Sequence, residues 1–444
     1  MTRKQRRKLR KESKAFRELL KVMKHFFKDF IDQLDEVKDL RHQSYITYET
    51  AEILFVALLT HLMTIGSMRS MTEEFNKEEC IENIRKILNN YELEELPHHD
   101  TINNFLEILP ADELKKIRAN MVRELFKKRC FEQYRYLNKY WLVAFDATGI
   151  HSFSERHCPH CLKRVRKDKE TGEETTTYYH NVLEAKLIVG EFVFSIGTEF
   201  VENEDENVSK QDCERKAFYR LSKRVKEDFK RLPICIVADS LYACAPVMTI
   251  CKENNWEYLI RFKEGSIKSV AKEFNVLSNM DDANEKEKKT DKIYQKYKWV
   301  NDIVYNDHDL NILEFSEWKE DKETKFTFIS SIRIKTGNAE IIGEFGRKRW
   351  KIENEGFNVQ KNQGYELQHM YSKDPNGMKN HYLLIQIAHM IRQLYDSGVK
   401  VLKLLKSSIK QMSSWLLESF RSKVLTEEDI KYVNLTKIQV RFTT

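Results

Sequence analysis

The chain has 444 residues, 41% of them apolar and 33% charged, and a formal net charge of +7. That length and apolar share exclude a disordered or fibrous chain and point to two or three globular domains with a sizeable core. The charge is unevenly placed: residues 1–24 hold eleven Lys or Arg against two Glu, more than the whole excess, which points to an anionic partner such as nucleic acid or to a solvated tail.

Thirteen Gly and six Pro leave few tight turns, so helices and long strands are expected rather than a many-stranded sandwich. The eight Cys are scattered except for one CxxC pair, which fits a reducing cytoplasm and not a disulfide framework. No apolar run follows the basic N-terminus, so no secretion signal is expected. The most apolar stretch, 51–63, contains Glu52 and His61 and is too short to span a bilayer, so no membrane segment is expected.

From 14 to 138 the apolar residues recur at helical spacing, as in Phe16, Leu19, Leu20, Met23, Phe26, Phe27 and Phe30, and again in Ile53, Leu54, Val56, Leu59 and Met63. The break at 96–101 offers Asp100 or Thr101 as a cap for the next helix. At Trp141 the pattern changes to a short apolar run that ends in Asp146-Ala147-Thr148-Gly149, a buried strand closed by a polar turn. Strands at 178–189 and 192–200 follow, joined by a hairpin at Gly190-Glu191. A helix from about 210 to 229 leads to a strand at 234–238 that ends in Asp239. A helix at 245–254 and a strand at 258–262 complete an α/β order with acids at two strand ends.

Residues 264–335 interrupt that order with mostly β character, around 297–299, 310–315 and 326–334, and with a charged loop at 281–292. Helical spacing resumes near Ile341, carries Arg349, Trp350 and Glu353, and continues in 378–395 and 399–420. No internal repeat is present.

Phosphodiester cleavage by a two-metal route needs carboxylates converging on two hard cations, and Mg²⁺ strongly prefers oxygen ligands. Strand ends of an α/β sheet supply such a site, and Asp146 and Asp239 fall there. A third carboxylate can come from a later helix. Glu353 is in place for it, with Arg349 four residues earlier on the same helical face, able to hold a phosphate. Glu355, two residues on, would face elsewhere.

The runs 143–149 (VAFDATG), 236–243 (IVADSLYA) and 349–365 (RWKIENEGFNVQKNQGY) resemble the three catalytic blocks of bacterial insertion-sequence transposases with a DDE triad. The resemblance covers about residues 50–395. It implies an α/β fold with an RNase H-like catalytic core in two parts, 139–263 and 336–395, the second with the catalytic Glu helix. A β-rich insertion at 264–335 would separate them, and all-helical regions would flank the core: a DNA-binding region with the basic tail at 1–138 and a C-terminal region at 396–444. It also implies catalysis by Asp146, Asp239 and Glu353 holding Mg²⁺ or Mn²⁺. Implied partners are double-stranded DNA, as transposon ends and target, and a second copy of the chain in a homodimer. The expected place is the bacterial cytoplasm, at the nucleoid. The rivals are a metal-dependent nuclease that cuts without joining and a repurposed DNA-binding protein without catalysis.

The match to the family signature of Tyr, two residues, Arg, three residues, Glu, six residues, Lys is incomplete. Gly346 stands at the Tyr position and Gln360 at the Lys position, with Lys361 one residue later, about 100° round a helix. This places the chain in a related branch with its own spacing. Arg349 and Lys361, with Arg3, Lys4, Arg6 and Arg7 of the tail, are the candidate phosphate contacts.

Asp212 and Glu214 are read as favouring the dipole of the helix they begin. Trp299 and Trp318 are read as core, and Trp350 as an anchor for the Glu helix. His157-Cys158-Pro159-His160-Cys161 has zinc-knuckle spacing in its two Cys. One pair cannot complete a tetrahedral site; the nearest further donors are His157, His160, His151 and His180. Antiparallel pairing of the first two strands would bring His180 to this loop, giving Cys158, Cys161, His180 and His157 around a structural Zn²⁺. A reduced surface CxxC or a redox pair stays open beside it.

Overall fold

The structure is a computed structural model that describes residues 14–280, 284–290, 292–320, 322–398 and 408–435. The candidate contacts Arg3, Lys4, Arg6 and Arg7 lie outside the described residues.

Seven helices come first: α1 (Ala15–Phe26), α2 (Phe30–Asp35), α3 (Thr50–Leu62), α4 (Met68–Phe75), α5 (Glu78–Leu88), α6 (His99–Ile108) and α7 (Ala111–Lys127). Every residue of α3 is buried, which its nearly uninterrupted apolar sequence permits. The cap of α6 is His98, whose side chain accepts the Asp100 N–H, and not Asp100 or Thr101, which lie inside the helix.

The sheet is built from β1 (Trp141–Phe153), β2 (Leu162–Lys167), β3 (Glu174–Val189), β4 (Phe192–Val201), β5 (Ile234–Ala238), β6 (Glu257–Arg261), β7 (Glu285–Lys289), β8 (Ile293–Tyr305), β9 (His308–Lys319) and β10 (Lys322–Ser330). Helices α8 (Glu214–Asp228), α9 (Ala245–Asn254) and α10 (Lys268–Leu277) lie between strands. After β10 come α11 (Ala339–Arg347), a π-helical segment (Ile352–Asn358) that runs into α12 (Val359–Asn362), then α13 (Pro375–Gly398), α14 (Ile409–Ser422) and α15 (Glu427–Leu435).

The strand order is β2-β3-β1-β5-β6-β10-β9-β8-β7, with β4 on the outer side of β3. Strand β3 is antiparallel to β1 and β4, whereas β1, β5 and β6 are parallel. Three antiparallel strands followed by two parallel ones form the RNase H-like core that the resemblance implies. The β-rich insertion continues the same sheet, because β10 pairs antiparallel with β6.

Alternation along β1 feeds two apolar clusters, one per sheet face. Val143 and Phe145 join a cluster shared with α8, α9 and the N- and C-terminal helices. Leu142 and Ala144 join Cys235, Val237 and Leu259 in the other, which Ile352 and Phe357 of the π-helical segment cover. Helices α14 and α15 pack on α1, and α13 packs on α3, α6 and α7, so the first and last described helices pack together. Lys14 and Arg17 clamp Asp429 of α15 at 2.5 and 3.2 Å.

Four local expectations are corrected. Strand β1 does not stop at a polar turn after Asp146; antiparallel pairing with β3 carries it on to Phe153, with a register shift between Gly149 and His151. The segment before β3 is not all loop, since β2 pairs with the outer half of β3. The charged run holds an edge strand, β7, whose Glu285 reaches Lys296 and Lys298 on β8 at 2.8 and 3.4 Å, so its charges are paired rather than merely solvated. The helix expected to carry both Arg349 and Glu353 breaks after Arg347, leaving Arg349 in a turn and Glu353 in the π-helical segment.

Candidate active site

The register places the two Asp. Ala144 of β1 pairs with Val237 of β5 in parallel, and both side chains enter the second apolar cluster. Asp146 and Asp239 lie two residues beyond each, so they stand at one level on that same face. Here β5 ends while β1 continues. The Asp239 carboxylate accepts the Leu241 N–H at 2.8 Å, and that of Asp146 accepts the Ala147 N–H at 3.0 Å.

Glu353 arrives from the segment that covers this face, packed against β1 and β4. π-Helical turns are rare and are found mostly at functional sites. Glu355 is turned to another partner, Lys351, at 3.6 Å. Arg349 reaches from its turn to the Asp146 carboxylate at 3.0 Å, with its guanidinium 4.7 Å from the centre of the Trp350 ring. Trp350 is 50% exposed, so it does not anchor the Glu helix by burial; of its flanks, Arg349 turns to Asp146 and Lys351 to the exposed Glu191 of the β3–β4 turn. Trp299 is core, whereas Trp318 is half-buried beside Tyr294, ring centres 5.0 Å apart.

Burial, with the like charges of Glu214 and Asp239 against the opposing Arg349, pushes the Asp146 carboxyl up to about 6. Glu214 is shifted upward as well, by burial and by Asp239, against a hydrogen bond from the Tyr242 hydroxyl at 2.6 Å. The dipole reading of Glu214 is therefore incomplete: it belongs to the acidic site. Asp212 does not, being held by Arg220 at 2.7 Å. Donor groups within 4.8 Å of one another include His157, Cys158 and His180, and His98, His99 and Asp100.

One further residue, Lys186, escapes sequence reasoning. Lys186 of β3, paired in register with Ala144, is fully buried, and burial holds its ammonium down at about 8 against the upward pull of Glu184 and Glu353. It lies 4.7 Å from the Phe357 ring centre and donates to Gln360 at 3.3 Å. Gln360, at the signature's Lys position, is itself buried against Gln386 and His389. A buried Lys in an apolar strand gives no periodic signal of its own. Lys361, one residue on, is half-buried.

Residues 138–391 match the family model described as transposase DDE domain, and residues 31–121 match the one described as DDE_Tnp_1-associated. The chain belongs to the transposase DDE domain family. Comparison with curated proteins returns no match. The family match spans the three acidic blocks and the insertion. Members generally use divalent metal ions. The donor set here fits such ions: the acids are oxygen ligands, and burial, with the like charges of Glu214 and Asp239, raises the Asp146 carboxyl, a cost that a divalent cation relieves. Among the described residues, no helix is long and apolar enough to cross a membrane.

Proposed function

We propose that this chain cuts DNA at the ends of a mobile element and joins the freed 3′ ends to target DNA. The observation that carries the reading is the β1/β5 register, which sets Asp146 and Asp239 level on the sheet face covered by the segment bearing Glu353. Asp146, Asp239 and Glu353 would hold Mg²⁺ or Mn²⁺, which supplies Lewis-acid polarisation of the attacking and leaving oxygens.

The remaining work falls to residues of the chain. Arg349, paired with Asp146 and flanked by Trp350, presents a planar cation suited to phosphate oxygens. Lys186 places a positive charge near Glu353 and, through Gln360, ties α12, which continues the π-helical segment, to β3. Tyr242 fixes Glu214 beside the two Asp, keeping the pocket acidic. Lys361 and the basic tail would add phosphate contacts. With one triad per chain and two element ends to process, the acting form is a homodimer on DNA.

The test uses purified full-length protein, Mg²⁺ and DNA carrying the sequences that flank its gene, with nicking and joined products scored separately. Both products are expected from wild type. Nicking alone would identify a nuclease, and binding with neither product would identify a repurposed DNA-binding protein.

A further inference from the structure

The loop between β1 and β2 places two thiols and an imidazole together. Cys158 and Cys161 Sγ are 3.6 Å apart, and His180 Nε2, from β3, lies 3.4 and 3.3 Å from them. All three residues are buried. A disulfide would need sulfurs about 2.05 Å apart. A tetrahedral zinc ion, with Zn–S near 2.3 Å and Zn–N near 2.0–2.1 Å, sets sulfurs about 3.8 Å apart and sulfur to nitrogen about 3.5 Å. The three donors already stand within roughly 0.2 Å of those separations.

A fourth donor is at hand. Donor atoms of His157, Cys158 and His180 lie within 4.8 Å of one another. His157 Nδ1 is buried without a hydrogen-bond partner, and the ring stacks on Phe153 at 4.6 Å. His160 is not part of that group, and its Nδ1 donates to the Asn203 carbonyl at 2.9 Å. The turn itself is braced, because Asn203 donates from its amide side chain to the Cys161 carbonyl at 2.9 Å and from its backbone to the His160 carbonyl at 3.1 Å.

We propose that Cys158, Cys161, His180 and His157 bind one structural zinc ion, with the His157 ring closing on it as the fourth ligand. Two thiolates and two neutral imidazoles leave the site neutral, and its loading releases the two thiol protons to solvent. The place explains the need. Beyond Leu162, β2 is exposed at every position and carries Lys163, Arg164, Arg166 and Lys167, so this outer ribbon has little apolar content to hold it. Zinc would clip the loop before β2 to β3 and keep a basic ribbon in line with the strand that bears Asp146. Arg164 and Arg166 line, with Tyr179, a cavity of about 740 Å³ at the outer end of β1, where a phosphate backbone would meet them.

Elemental analysis of untagged full-length protein should find about one zinc per chain. That zinc should be lost in Cys158→Ser/Cys161→Ser and retained in Cys213→Ser and Asp146→Asn. Cobalt exchanged into wild type should give the intense visible bands of a tetrahedral thiolate site, and His157→Asn should weaken its retention. The cobalt experiment needs only wild type, so a double variant that fails to fold does not decide the matter. Zinc-free wild type with undiminished melting temperature, or cobalt spectra of an octahedral oxygen site, would overturn the proposal. Unchanged cobalt retention in His157→Asn would overturn the fourth ligand. Retention of zinc in Asp146→Asn keeps the outcome separate from that of the catalytic reading.

Discussion

The β1–β3 pair carries two donor sets of opposite character within a few residues. Around Asp146 the donors are hard oxygens that repel one another, and the Asp146 carboxyl is held up at about 6 by burial and like charge. Around His180 they are soft sulfur and nitrogen atoms that accept one another as hydrogen-bond neighbours at 3.3–3.6 Å. The first set is costly until a cation arrives, as expected of a site built for chemistry; the second is pre-arranged at ligand separations, as expected of a staple.

The largest expected effect separates the two sets. Asp146→Asn, Asp239→Asn and Glu353→Gln should each lower Mg²⁺-dependent cleavage by roughly a hundredfold or more, because on the proposed reading each removes a ligand from ions whose Lewis-acid role is worth several kcal/mol. Zinc content and DNA binding should stay near wild type, and Glu355→Gln should cut normally. Cleavage retained in any triad variant would break the comparison.

A smaller effect is expected behind the site. Lys186→Met keeps the length of the buried chain and removes its charge, a change that cores often tolerate. Cleavage should fall about tenfold while stability changes by less than about 2 kcal/mol, because the lost charge faces Glu353. Reduced stability with normal cleavage would make Lys186 a packing residue only.

A third effect concerns pH. The Asp146 carboxyl is raised from 3.8 to about 6 in the fold, so the native state binds its proton more readily than the unfolded chain and its ionisation destabilises the protein. In EDTA, wild type should therefore gain stability relative to Asp146→Asn as pH falls from 7 through 6 toward 4, by up to roughly 3 kcal/mol. The gain should vanish above about pH 7 and shrink when Mg²⁺ is added. Equal pH profiles in urea melts would show that the carboxyl is not strained.

Much of this was legible in the residues. Short apolar runs ending in Asp146 and Asp239 marked the two strands that carry them, and Cys158, Cys161 and His180 could be joined through the antiparallel partner of β1. What was hidden depends on long-range partners. Glu285 and its neighbours look solvated until β8 supplies Lys296 and Lys298. Glu214 looks like a helix-start acid until the fold brings it to Asp146. The break at Arg349 and the π-helical turn at Glu353 leave the 349–353 spacing intact, so helical periodicity alone does not register them.

The most direct test of the central claim is diffraction from Mn²⁺-soaked crystals of the protein bound to an element end, recorded for the anomalous signal of manganese. The account predicts peaks bonded to Asp146 and Asp239, with Glu353 drawn in and Arg349 turned toward the scissile phosphate. Manganese bound away from these three carboxylates, with the DNA phosphate elsewhere on the sheet, would contradict it.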